Sequence, residues 1–205
     1  MQNIKKVVSF VISLIPLNNL KIFLYNQILS YKIDFKSKIG FGNIIVCDKV
    51  LILNSYIGNF NFIKTSELIL RETRVSNFNI INNFKILNAQ KSSLIGSYNK
   101  IFGEKISNGM LSMQRAQFTT SHVVNVNNDL ILSNDVVFGG IKSKINIGYT
   151  NNKTLISKNV YFGSSIYLKS GLEICEKVLI GSGTTVCENI KNPGLYVSNY
   201  LKKIS

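Results

Sequence analysis

Hydrophobic residues stand at every sixth position over much of this 205-residue chain. Ile39, Ile45, Leu51, Ile57, Ile63, Ile69, Val75, Ile81 and Leu87 form one run, and Ile156, Phe162, Leu168, Ile174, Ile180 and Val186 a second. A helix repeats every 3.6 residues and a strand every two, so neither predicts this spacing. A hexapeptide repeat does: six residues make one short strand and one corner, three repeats close a triangular coil of about 18 residues, and the stacked coils form a parallel β-helix. In the second run the residue two places earlier is also of the inward type, as in Val160/Phe162, Ile166/Leu168, Leu172/Ile174, Val178/Ile180 and Thr184/Val186. Alternation by two within a period of six is strand geometry interrupted by turns. Gly40, Gly58, Gly96, Gly163 and Gly181 follow the inward residue, where the chain begins to turn.

The phase breaks twice. Two extra residues lie between Leu87 and Ile95, and Phe102–Gln117 loses the pattern before it returns at Phe118/Thr120, Val124/Val126, Leu130/Leu132 and Val136/Phe138. The polar stretch 141–153 reads as an excursion from a corner, and loops on such scaffolds carry function. The predicted organisation is amphipathic helices over 1–33, a β-helix over 34–192 with excursions near 102–117 and 141–153, and a tail over 193–205.

The N-terminal segment follows another rule. Residues 4–15 are apolar apart from Lys5, Lys6, Ser9 and Ser13, and Leu20, Phe23, Leu24 and Ile28 line one face of a second helical stretch. No small-residue cleavage site follows, and the apolar run is shorter than the roughly 20 residues that cross a bilayer. Two readings result: helices that cap the first coil, or an interfacial anchor with Lys5, Lys6, Lys21 and Lys32 at the headgroups.

Composition narrows the partners. A net charge of +14 points to an anionic partner, whether membrane surface, phosphorylated cofactor or nucleic acid. The scattered lysines match no base-reading module, so nucleic acid is not expected. Asn is abundant, at 26 residues, and tolerates the left-handed backbone of sharp corners. Cys47, Cys175 and Cys187 are odd in number and lack a CxxC spacing, which argues against a disulfide framework or zinc site and fits a reducing cytoplasm. No metal is expected, since a single histidine excludes a three-histidine zinc centre.

That histidine, His122, lies in Phe118-Thr-Thr-Ser-His-Val-Val-Asn125, two residues after inward Thr120, and should face outward at a corner. A neutral imidazole there is a natural general base for a hydroxyl or amine.

The stretch from Ile156 to Ile204 resembles the closing coils of hexapeptide-repeat acyltransferases. The central segment around His122 and the N-terminal helices with Ile39-Gly-Phe-Gly-Asn-Ile-Ile-Val46 resemble, more narrowly, acyltransferases of bacterial surface-polysaccharide biosynthesis. The resemblance covers nearly the whole chain. It implies an all-β, left-handed parallel β-helix, a homotrimer, and acetyl-CoA bound between neighbouring prisms. It further implies acetyl transfer to a sugar hydroxyl, or amine, of a glycan acceptor, with backbone amides holding the oxyanion. His122 would be the base, and Asn125 stands where an Asp often follows it. Gly139 and Gly140 would leave room for the coenzyme, Ser164 and Ser182 would line its pantetheine channel, and Lys202 would reach its phosphates. The implied location is cytoplasmic, with residues 1–30 as a candidate peripheral contact on the inner face of the membrane.

The chain departs from that pattern at Cys187-Glu188, where relatives often have Thr-Lys, and at Asn199-Tyr200, where they have Asn-Pro. Ser143-Lys-Ile-Asn-Ile-Gly148 lacks the second histidine of the relatives' Ser-Gln-x-Trp-Thr-His. These departures leave an alternative: an inactive homologue serving as a trimeric scaffold or membrane-surface module.

Overall fold

A computed structural model describes residues 2–149 and 152–197. They form a parallel β-helix of the left-handed hexapeptide type, with about eight turns and two short helices at its start. One side of the prism is a nine-stranded parallel sheet running from Lys38–Ile39 to Gly194–Tyr196. The other two sides share a 13-stranded sheet, because Phe62–Arg71, Ile80–Gln90 and Lys100–Gln114 pass through the corner between them without a break. Strands Lys32–Ile33 and Gly194–Tyr196 extend the prism slightly beyond the predicted 34–192.

Inward residues stack into columns along the axis. Ile39, Ile57, Val75 and Ile95 are continued by Phe118, Phe138 and Phe162, whose rings stack at 4.9 and 4.2 Å between centroids. The strict six-residue series fails at two members. Leu51 and Ile69 are only half-buried; the inward residues are Val50 and Ile52, then Leu68 and Leu70. On the third side Lys49–Leu53 pairs with Glu67–Arg71 over five residues, so the inward positions fall one residue off the period, while the coil keeps its 18-residue register of Val50↔Leu68 and Ile52↔Leu70.

Two of the three corners use one left-handed residue per coil. The first column is Gly42, Phe60, Phe78, Tyr98, Ser121, Lys142, Ser165 and Gly183; the second includes Asn54, Glu72, Arg115, Asp135, Asn159 and Lys177. In these turns the residue's own N–H reaches back to the preceding coil, as from Phe78 to Asn59 O at 3.0 Å. The glycines expected to begin the turns are not in that conformation. Gly40, Gly58 and Gly96 are glycines because a Cβ there would collide with the next coil: at Gly58 it would stand 2.7 Å from Ser76 O, and at Gly96 it would overlap Thr119 O.

Both predicted excursions are shorter than their sequence suggests. Residues 102–117 stay on the prism in strand Lys100–Gln114, with bulges between Phe102 and Ser107 and between Ser107 and Met110. In 141–153, Lys142 is a corner and Lys144–Ile147 pairs in register with Val123–Val126. Among the described residues of this stretch, Lys142, Ser143, Gly148, Tyr149, Asn152 and Lys153 lie outside strands.

Helices α1 (Gln2–Ser13) and α2 (Asn18–Leu29) cover the open edge of the first coil. Ile12, Ile22, Tyr25 and Tyr31 close the hydrophobic core. Polar side chains meanwhile satisfy the edge: Ser9 Oγ accepts from Ile45 N–H at 2.7 Å, Asn18 Oδ1 from Ile39 N–H at 3.0 Å, and buried Lys21 Nζ donates to Ile39 O at 2.8 Å and Gly40 O at 2.9 Å. An unpaired sheet edge is a template for further pairing, and these groups remove it. Neither helix is long and apolar enough to cross a membrane.

Candidate functional site

His122 faces inward from its corner, contrary to the outward position expected of it. It is fully buried and packs edge-on against Phe138. The reason is a ladder of side chains running up this corner. Asn43, Asn61, Asn79 and Asn99 each accept the backbone N–H of the next rung on Oδ1, at 2.9, 3.0, 2.9 and 2.9 Å, the last donor being His122 itself. His122 continues the rule: its Nδ1 accepts Ser143 N–H at 3.2 Å, and Ser143 Oγ then accepts Ile166 N–H at 3.3 Å. Nδ1 as acceptor assigns the hydrogen to Nε2, which donates to Thr119 Oγ1 at 3.0 Å. The Thr119 hydroxyl in turn faces Gly140 O at 2.6 Å. Burial without a counter-charge pushes the imidazole pKa down to about 4.

Asn125 is nine-tenths buried and its hydrogen bond goes elsewhere: Nδ2 donates to Glu104 Oε1 at 2.9 Å. Its Oδ1 is buried without a partner. Glu104 is exposed and well anchored, its N–H donating to Asn127 Oδ1 at 2.6 Å and its carbonyl accepting from Tyr149 Oη at 2.8 Å. Glu104 and Tyr149 were invisible as a pair in the sequence, 45 residues apart and within the two stretches where the repeat is hardest to follow.

Ser164 and Ser182 belong to another ladder. Ser182 Oγ accepts Ser164 N–H at 3.1 Å, and Ser164 Oγ accepts Ile141 N–H at 3.3 Å. The room left by Gly139 and Gly140 is filled from the next coil, by the Tyr161 ring and the Ser164 hydroxyl. Lys202 lies outside the described residues. Two shallow grooves lie elsewhere: one of about 480 Å³ beside Lys36, Lys38, Tyr56 and Arg74, and one of about 670 Å³ at the last coil beside Thr184, Glu188 and Tyr196. Neither includes His122, Asn125, Ser164 or Ser182. No group of three or more His, Cys, Asp and Glu side chains is placed to hold a metal among the described residues. The Cys47 thiol is buried, hydrogen-bonded to Thr65 Oγ1 at 3.4 Å, and pushed up to about 11 by desolvation.

Neither a scan against protein-family models nor a search of curated proteins finds a match for this chain.

Proposed function

We propose that this chain is a non-catalytic β-helix scaffold that associates side by side with copies of itself, built on the frame that hexapeptide acyltransferases use. The observation that carries the reading is the closure of His122. A general base must present a lone pair to a proton on the acceptor. A fully buried ring that accepts from Ser143 on one nitrogen and donates to Thr119 through the other has none to present. Side-by-side association is supported by the corner column Phe41, Phe60, Phe78 and Tyr98. These rings are 46% to 60% exposed, contact one another in series, and have exposed Ile80 nearby in sequence. Contiguous apolar stripes of this kind mark interfaces, and a homotrimer is the assembly implied by the family resemblance.

A second reading, acetyl transfer from acetyl-CoA to a sugar hydroxyl or amine, is favoured by Glu104. Its carboxylate is exposed, oriented by Asn125 Nδ2, and next to an Asn125 Oδ1 that lacks a donor. In that reading Glu104 takes the acceptor's proton, the acceptor attacks the thioester carbonyl, and the coenzyme leaves as its thiol. Calorimetry with acetyl-CoA on the wild type and Glu104→Gln separates the two. No binding at millimolar coenzyme supports the scaffold. Micromolar binding by both proteins, with transfer to a glycan lost only in Glu104→Gln, overturns it in favour of acetyl transfer.

A further inference from the structure

We infer that the helical end of the prism is a docking surface for an anionic lipid bilayer, with α1 and α2 lying flat in the headgroup region and the prism axis standing away from the membrane. The argument is independent of whether the prism is a catalyst.

The inner faces of the two helices are committed. Ser9, Asn18, Lys21 and Asn26 hydrogen-bond the backbone of the first coil, and Ile12, Ile22 and Tyr25 complete its core. That fixes both helices across one end of the prism, with their outer faces on the same surface. Those outer faces are largely apolar, with Asn3, Asn19 and Gln27 as the exposed polar exceptions. Ile4, Val7 and Val11 along α1, Leu17 in the turn, and Phe23 and Ile28 along α2 are 49% to 68% exposed. Positions 4, 7 and 11 form a stripe at helical spacing opposite buried Ser9, Ile12 and Ser13, so exposure follows from the pattern and not from fraying.

Charge selects the occupant. Residues 1–33 contain no acidic residue; Lys5, Lys6 and Lys32 reach the surface there, while Lys21, expected at the headgroups, is instead buried because its ammonium is spent on Ile39 O and Gly40 O. Lys36, Lys38 and Lys49 are exposed on the first coil beneath. Its two acids are already engaged: Asp34 accepts from Ser37 and Asn54, and Asp48 lies 3.7 Å from Lys5 Nζ. A second copy docking end to end would bring these lysines against their own counterparts, within a chain of net charge +14. An anionic bilayer meets the apolar stripe with acyl chains and the lysines with headgroups, which is how interfacial helices bind. Each helix is 12 residues, about 18 Å long, enough to lie in the interface and too short to span it.

The experiment is flotation of the full-length protein with vesicles of phosphatidylglycerol and phosphatidylcholine, beside vesicles of phosphatidylcholine alone. Val7 and Val11 touch solvent, so Val7→Glu/Val11→Glu leaves the capping contacts in place, and circular dichroism checks the fold. The expected result is binding to the anionic vesicles, weakened at least tenfold by the double substitution and by high salt. Failure of the wild type to float with anionic vesicles overturns the inference. So does equal binding by the double variant. Concentration-dependent dimerisation abolished by the same substitutions, without vesicle binding, assigns the surface to a second copy and overturns it as well.

Discussion

His122 stands where four coils below it carry an asparagine, and the exchange works because Nδ1 can accept a backbone N–H as Oδ1 does. His122→Asn should therefore cost little, about 1 kcal/mol or less. His122→Ala leaves Ser143 N–H buried without an acceptor and opens a cavity, for a loss of about 3 kcal/mol. Urea denaturation of both variants checks the difference. The same burial gives a pH signature. The unfolded ring takes up its proton near pH 6.5 and the folded one near 4, so the folded state is at its most favoured above pH 6.5 and loses stability as the pH falls from 6.5 towards 4. The wild type should lose about 3 kcal/mol over that window, and His122→Asn should lack this component. Residue type and the family resemblance together suggested a base here. Counting rungs from Asn43, Asn61, Asn79 and Asn99 would have placed His122 in the corner ladder, but the insertions around Lys91 and Lys105 break the 18-residue count just before it.

At the scale of elements, the sequence announces strands and core well and phase poorly. The columns through Ile39, Ile57 and Val75 were legible because each coil repeats them at the same spacing. Leu51 and Ile69 deceived because a three-residue window of hydrophobes, such as Val50-Leu51-Ile52, fits two registers, and only pairing with the neighbouring coil chooses one. The corner glycines were legible as small and not as close-approach sites. Gly96→Ala should cost about 3 kcal/mol, since its Cβ meets backbone that cannot step aside; thermal unfolding reads this directly. In the cap, Lys21→Met keeps the aliphatic stem while removing both donors from Ile39 O and Gly40 O, and should lower stability by about 1–3 kcal/mol. Chemical denaturation reads that loss.

Taken whole, the described residues place helices over the first coil and an exposed aromatic column along one edge. Phe60, Phe78 and Tyr98 hold a left-handed backbone that costs a bulky residue about 1 kcal/mol or more, where Gly or Asn would sit at ease. Their mutual stacking at 5.4 and 5.2 Å offsets part of that. Burial against a neighbouring copy would offset the rest. Phe60→Asn/Phe78→Asn should thus leave the monomer folded and shift sedimentation from an oligomer to the monomer. A wild type that sediments as a monomer at all concentrations sinks the side-by-side assembly. The candidate site was the least legible part of the molecule: Glu104 meets Asn125 across 21 residues, through a bulge whose length no repeat dictates.

The helices that seal the first coil are made before the coil they seal. On the ribosome the lid precedes the vessel: α1 and α2 emerge with their inner faces bare and wait for residues 32 to 45 before they have anything to seal. From then on each coil of about 18 residues leaves the exit tunnel roughly every one to four seconds and finds a finished template below it. Assembly in this chain therefore runs one way, as in a zipper closed from a fixed stop. A fault in a middle coil would strand everything synthesised after it, while what lies below stays sealed.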